Sequence, residues 1–116
     1  MFDERVLKKL LKNSPIGYAY LDVLYDESKT PNDFRLVEYN PSFGRIMEID
    51  EKVIGKNLSE LDSNYLLVHE VSTMLKSTII NDGNRSLSEC FESSSRCFDV
   101  FIFPDSSSNI IVQVIP

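Results

Sequence analysis

The sequence predicts an α+β fold: a five-stranded antiparallel sheet with helices gathered on one face, preceded by an amphipathic helix. Three observations predict it. Three strand-like runs close the chain, and the serine-rich turns between them are too short for crossovers, so they must form an antiparallel meander. Two more strand-like runs, 16–25 and 34–39, lie near the N-terminus. A helical stretch separates the pair from the trio, the grouping of an α+β rather than an alternating α/β layout.

Residues 3–13 read as the first helix, with Phe2, Val6, Leu7, Leu10 and Leu11 on one side of the wheel. Ser14-Pro15 ends it, because proline disfavours helix in the residue before it. Residues 16–25, IGYAYLDVLY, are aromatic and β-branched between turn residues and read as a strand. The polar 26–33 run, DESKTPND, reads as a loop, and 34–39 as the second strand. Asn40 then caps a helix whose first residue is Pro41, where a missing N–H costs nothing. Phe43, Ile46 and Met47 give that helix one short apolar face. A further short turn, 50–53, ends at Ile54-Gly55. The longest internal helix spans 64–80, with Asp62, Ser63 or Asn64 as its cap and Asn81-Asp82-Gly83 as its stop. Strands at 85–92, 96–103 and 109–115 follow, with turns at 93–95 and 106–108.

At 116 residues the chain fits one domain, 1–116, made of a helix at 1–14 and a core at 15–116. No apolar stretch approaches the length that spans a bilayer, and the N-terminus alternates charge with Leu and Val, unlike a secretory leader. The expectation is a cytoplasmic chain without membrane insertion. A net charge of −6 repels polyanions, which argues against a nucleic-acid partner. Cys90 and Cys97 match no zinc spacing. They flank a hairpin turn and can approach each other across two strands; reduced, packed thiols are the default and a redox pair the alternative. There is no G-x-S-x-G elbow, no H-E-x-x-H and no phosphate-cradling Gly-rich loop, so the chain reads as no enzyme. The acids Asp22, Asp26, Glu27, Asp33 and Glu38 read as edge and loop charges. In the 96–103 strand Phe98, Val100 and Ile102 share one face while Phe101 and Phe103 share the other, so both faces need cover. The helices at 41–47 and 64–80 supply one layer; the N-terminal helix or a second copy supplies the other.

Four segments, in order, resemble a PAS domain, the sensory module of many signalling proteins. They are L-x-N-S-P-I-G-Y-A (11–19), F-R-L-V-E-Y-N-P-S-F (34–43), V-I-G-K (53–56) and R-C-F-D-V-F-I-F-P (96–104). Asn40, Pro41 and Gly55 are the structural signature residues. Glu48-Ile49-Asp50 replaces the Thr-Gly that often follows the Asn-Pro helix, and the first hairpin loop is longer than the common two-residue turn. The resemblance implies a spatial strand order 2-1-5-4-3.

It also implies a sensor attached to an output domain outside this chain, such as a histidine kinase or a diguanylate cyclase, working by repacking of helix against sheet. Tyr39, Met47, Ile54, Leu67, Val71, Leu75 and Phe101 are the candidates to face a small-molecule cavity; a filled aromatic core without ligand satisfies the same residues. One PAS branch forms a flavin–cysteinyl adduct through G-[RK]-N-C-R-F-L-Q. Here 55–62 read G-K-N-L-S-E-L-D, and Leu58 cannot add to a flavin, which excludes that photochemistry. PAS haem sensors often ligate iron through a His on the long helix, and His69 is the sole His. On the wheel it points roughly 150° from the centre of the apolar face, which argues for a surface residue. The rival reading is a ligand-free dimerisation module, pairing through the stripe of Phe2, Val6, Leu7, Leu10 and Leu11 into a symmetric homodimer.

Overall fold

The structure, a computed structural model, describes residues 3–79, 85–91, 96–106 and 108–116. Helix α1 (Glu4–Asn13) is capped by Asp3, whose carboxylate accepts the Val6 amide at 2.9 Å. Strands β1 (Gly17–Tyr25) and β2 (Pro31–Tyr39) follow, then helix α2 (Pro41–Met47) and two single-turn 3₁₀ helices, Glu51–Val53 and Leu58–Glu60. Helix α3 (Leu66–Ile79) leads into β3 (Arg85–Phe91), β4 (Arg96–Ser106) and β5 (Asn109–Ile115). The strands form one sheet in the order β2-β1-β5-β4-β3, every neighbouring pair antiparallel.

Alternation along each strand sends one set of side chains inward. Ala19, Leu21 and Val23 of β1, Phe98, Val100 and Ile102 of β4, and Ile110, Val112 and Val114 of β5 are buried. They pack in one core with Phe43, Ile46 and Met47 of α2 and Leu67, Val68, Val71 and Leu75 of α3. Gly17 lets α2 lie this close: a Cβ there would come within 2.9 Å of the Phe43 Cα.

Several boundaries differ from those expected. β2 begins at Pro31 rather than at 34, because the first turn is tighter than its polarity suggests. The Asp26 carboxylate accepts the amides of Ser28 at 2.8 Å and Thr30 at 3.0 Å, and Lys29 adopts a left-handed φ of 61°. Pro31 is tolerated as the first residue of an edge strand. α3 starts at Leu66, since the Asp62 carboxylate accepts the Asn64 amide at 2.9 Å and holds that segment in a turn. β4 runs on to Ser106. The expected helix end at Ile80, the stop at 81–83, the turn at 93–95, and the residues Phe2 and Glu92 lie outside the described residues.

The free edge of β2 is covered from within the chain. Gly55 donates its amide to the Leu36 carbonyl at 2.7 Å, and Leu36 returns its own to the Lys56 carbonyl at 3.1 Å. Gly55 makes that strap with φ at 85°, a conformation natural to glycine. After α2, Glu48 takes the left-handed cap at φ 58°, a position that more often holds glycine.

Candidate functional site

Asn40 is the residue on which the elements converge. It is 6% exposed and its amide group is bonded in four directions. The Oδ1 accepts the amides of Phe43 at 3.1 Å and Tyr18 at 2.8 Å; the Nδ2 donates to the carbonyls of Leu11 at 2.8 Å and Ile16 at 2.9 Å. One side chain thus caps α2, clamps β1 and holds the end of α1 together with its linker. Ser42, next along α2, donates its hydroxyl to the Ser14 carbonyl and accepts from Arg45 at 3.0 Å. Sequence reasoning assigned Asn40 the cap alone. Its other partners lie 22–29 residues away, a distance no periodicity reports.

Between sheet and helices a cavity of about 20 Å³ remains, lined among others by Leu36, Phe43, Met47, Val71, Leu75 and Val112. That is room for about one water and far below the several hundred Å³ of ordinary ligand pockets. Met47, Val71 and Leu75 line this cavity. Leu67 is buried in the same core without lining it. The other three cavity candidates stand elsewhere. Ile54 is 45% exposed, turned outward by the strap that follows it. Phe101 sits on the outer face, opposite to buried Val100 and Ile102. Tyr39 is half-buried against Phe43, ring centroids 6.1 Å apart, beyond a register shift in the β1–β2 pairing.

A larger hollow than this inner cavity lies on the other side of the sheet. α1 has no buried residue and stands beside the outer face, leaving an open groove of about 590 Å³ lined by Leu11, Tyr18, Tyr20 and Ile111, with Lys8 and Lys12 on the helix side. A second open hollow, of about 850 Å³, runs along Val6, Leu7, Leu10 and Leu11. Polar contacts organise the outer face. The Tyr18 hydroxyl accepts from Gln113 at 3.1 Å, and Tyr20 donates to Asp105 at 2.6 Å. Asp22 receives Arg35 through Nε at 3.0 Å and Nη2 at 2.5 Å, and it also accepts from Asn109. The Asp105 bond, then burial, then the charges of Asp105 and Asp22 raise the Tyr20 pKa; burial first, then Asp50 and Glu51, raises that of Tyr39.

His69 is half-buried rather than a free surface residue. Its Nε2 lies 2.9 Å from the Leu61 carbonyl and 3.0 Å from that of Asp62, and since carbonyls only accept, this nitrogen carries the proton and donates. A nitrogen so engaged faces neither the cavity nor an iron, so His69 does not fit a haem. Leu58 is buried at the cavity wall, and no flavin ring fits about 20 Å³. Among the described residues no group of three or more His, Cys, Asp or Glu is placed to hold a metal ion. Asp33, read as a loop charge, is a buried strand residue that accepts the Ser59 amide at 3.2 Å and the Ser59 hydroxyl. The expectation of reduced, packed thiols is also corrected: Cys90 and Cys97 are exposed, face each other across β3 and β4, and are disulfide-bonded.

No family model matches the chain, and no curated protein matches it. Among solved structures, a domain of an HTR-like protein from Haloarcula marismortui ATCC 43049 is similar at 18% identity, over 88% of this chain and 97% of that one, with a TM-score of 0.56. A Rhodobacter sphaeroides LOV protein is similar at 15% identity over 99% of this chain and 68% of that one, with a TM-score of 0.46. At these identities the likeness is one of fold. With its 2-1-5-4-3 sheet and helices packed on the inner face, the chain folds as a PAS-type domain.

Proposed function

We propose that this PAS-type domain is a signal-transducing module that communicates between its sheet–helix core and helix α1, without a resident ligand in the inner cavity. The observation that carries this reading is Asn40, whose one amide group joins the end of α1, its linker, β1 and the start of α2. A shift in how α2 packs on β1 moves Asn40, and with it the carbonyls of Leu11 and Ile16. Such repacking redistributes two arrangements of a packed interface, which needs no new contact at α1 itself. The near-filled interior supports transmission over ligand capture. In this reading the domain is non-catalytic, works in the cytoplasm and serves an attached output domain of the histidine kinase or diguanylate cyclase kind.

The test perturbs the core and reads the helix. Met47→Leu conserves volume and leaves the fold intact. Its backbone amide spectrum is expected to show shifts from Leu10 to Ile16, and the added Asn40→Ala change to abolish them. An unmoved α1 in Met47→Leu contradicts transmission.

A second reading rests on a separate observation. Leu7, Leu10 and Leu11 are 46%, 51% and 40% exposed on one helix, an apolar stripe that a second copy of the chain would bury. Sedimentation of wild type against a Leu7→Glu, Leu10→Glu double variant tests this homodimer: loss of the dimer in the variant is expected, and equal mass in both ends the reading.

A further inference from the structure

Cys90 and Cys97 occupy directly opposed positions in the β3–β4 ladder, and β3 is an edge strand of the sheet. Both side chains lie on the solvent side, and they are disulfide-bonded, which leaves no free cysteine in the chain. Their immediate neighbours are of another kind. Phe91 and Phe98 are buried on the inward side with ring centroids 5.7 Å apart. The Arg96 guanidinium lies 5.0 Å from the Phe98 ring and donates to the Ile46 carbonyl of α2 at 3.4 Å. The bond therefore sits on the solvent side of a hairpin end whose inner side touches α2.

We propose that Cys90 and Cys97 form a reversible dithiol–disulfide switch, operated by low-molecular-weight thiols, that changes the seating of the β3–β4 hairpin end on α2. Exposed disulfides are the ones that exchange readily, whereas structural ones are shielded. The registered, solvent-facing position lets a small thiolate reach either sulfur without unfolding the core. The chemistry is ordinary exchange. A thiolate attacks one cysteine sulfur, the Cys90–Cys97 bond breaks, and the other cysteine leaves as a thiolate. A second thiolate then attacks the external sulfur of the mixed disulfide and frees the first cysteine. Two thiols are oxidised to one small-molecule disulfide while both cysteines are reduced and protonated. The same steps run backwards under a small-molecule disulfide. The proposal concerns the fold alone and does not depend on α1 transmission, so either can fail without the other.

The whole chain, folded and without denaturant, is titrated with mixtures of reduced and oxidised glutathione. Thiol content and the resonances of Phe91, Phe98 and Ile46 are followed together. The expected result is a rise from no titratable thiol to two per chain, reversed by oxidised glutathione, with the three resonances moving at the same midpoint. The Cys90→Ser, Cys97→Ser double variant is expected to lose the response; should it not fold, the wild-type titration decides alone. A bond that reduces only once the chain is unfolded overturns the proposal. Reduction of the folded chain with unmoved Phe91, Phe98 and Ile46 overturns it equally.

Discussion

Asn40 and Tyr18 are bonded twice: the Tyr18 amide donates to the Asn40 side chain at 2.8 Å, and the Asn40 amide donates to the Tyr18 carbonyl at 3.0 Å. This two-way link fixes the start of α2 on the beginning of strand β1. Asn40→Ala removes the helix cap, worth about 1 kcal/mol, and strands a buried amide and carbonyls at about 1 kcal/mol or more each. The expected loss is about 3 kcal/mol in urea unfolding, together with faster proteolysis between Asn13 and Gly17. A loss under about 1 kcal/mol contradicts the junction role.

Two glycines are expected to respond differently to the same change. Gly17→Ala drives a methyl into the Phe43 backbone at 2.9 Å and is expected to destabilise by about 1–3 kcal/mol. Gly55 has open space around its missing Cβ but a φ of 85°, so Gly55→Ala suffers only the left-handed penalty, about 1 kcal/mol. The converse change, Glu48→Gly, relieves that penalty at φ 58° and is expected to stabilise. Equilibrium unfolding of the three variants checks the order.

Leu75 has no exposed surface and lines the small inner cavity. Leu75→Ala is expected to cost about 3 kcal/mol and to enlarge that cavity enough for xenon, read by methyl shifts of Met47 under gas pressure. Wild type is expected to take up none. Xenon binding to wild type would show an interior more open than described.

The tyrosines set an alkaline limit. Tyr20 and Tyr39 have raised pKa values, so above about pH 10 the folded state holds protons that the unfolded chain has lost. Their contribution to stability is complete below that range and is lost as pH rises through the folded values. Urea midpoints from pH 8 upward are expected to fall more steeply for wild type than for a Tyr20→Phe, Tyr39→Phe variant. Parallel slopes contradict the assignment.

The antiparallel meander that closes the chain and the Asn40 cap ahead of Pro41 were legible because each rests on a local signal, turn length in one case and cap chemistry in the other. The 2-1-5-4-3 order, by contrast, was implied only by the resemblance of the four segments. Phe101 was misplaced for a physical reason. Both faces of β4 are apolar, so alternation defines two sets without saying which is inward. Tyr39 was lost to the register shift between Tyr20 and Leu21, which breaks simple alternation across the β1–β2 pair. The cysteines illustrate a different limit: their opposition was readable from the hairpin, their exposure was not. That α1 would stand off the outer face, with no buried residue, depends on tertiary packing that its strong amphipathicity obscures.

Amide hydrogen exchange at Tyr18 and Phe43, in wild type and in Asn40→Ala, tests the junction most directly. Both amides donate to Asn40, so slow exchange in wild type and selective loss of protection at these two in the variant are predicted, with Val112 and Val114 in the central strand still protected. Unchanged protection of Tyr18 and Phe43 in Asn40→Ala would contradict a core held to its N-terminal helix through this side chain.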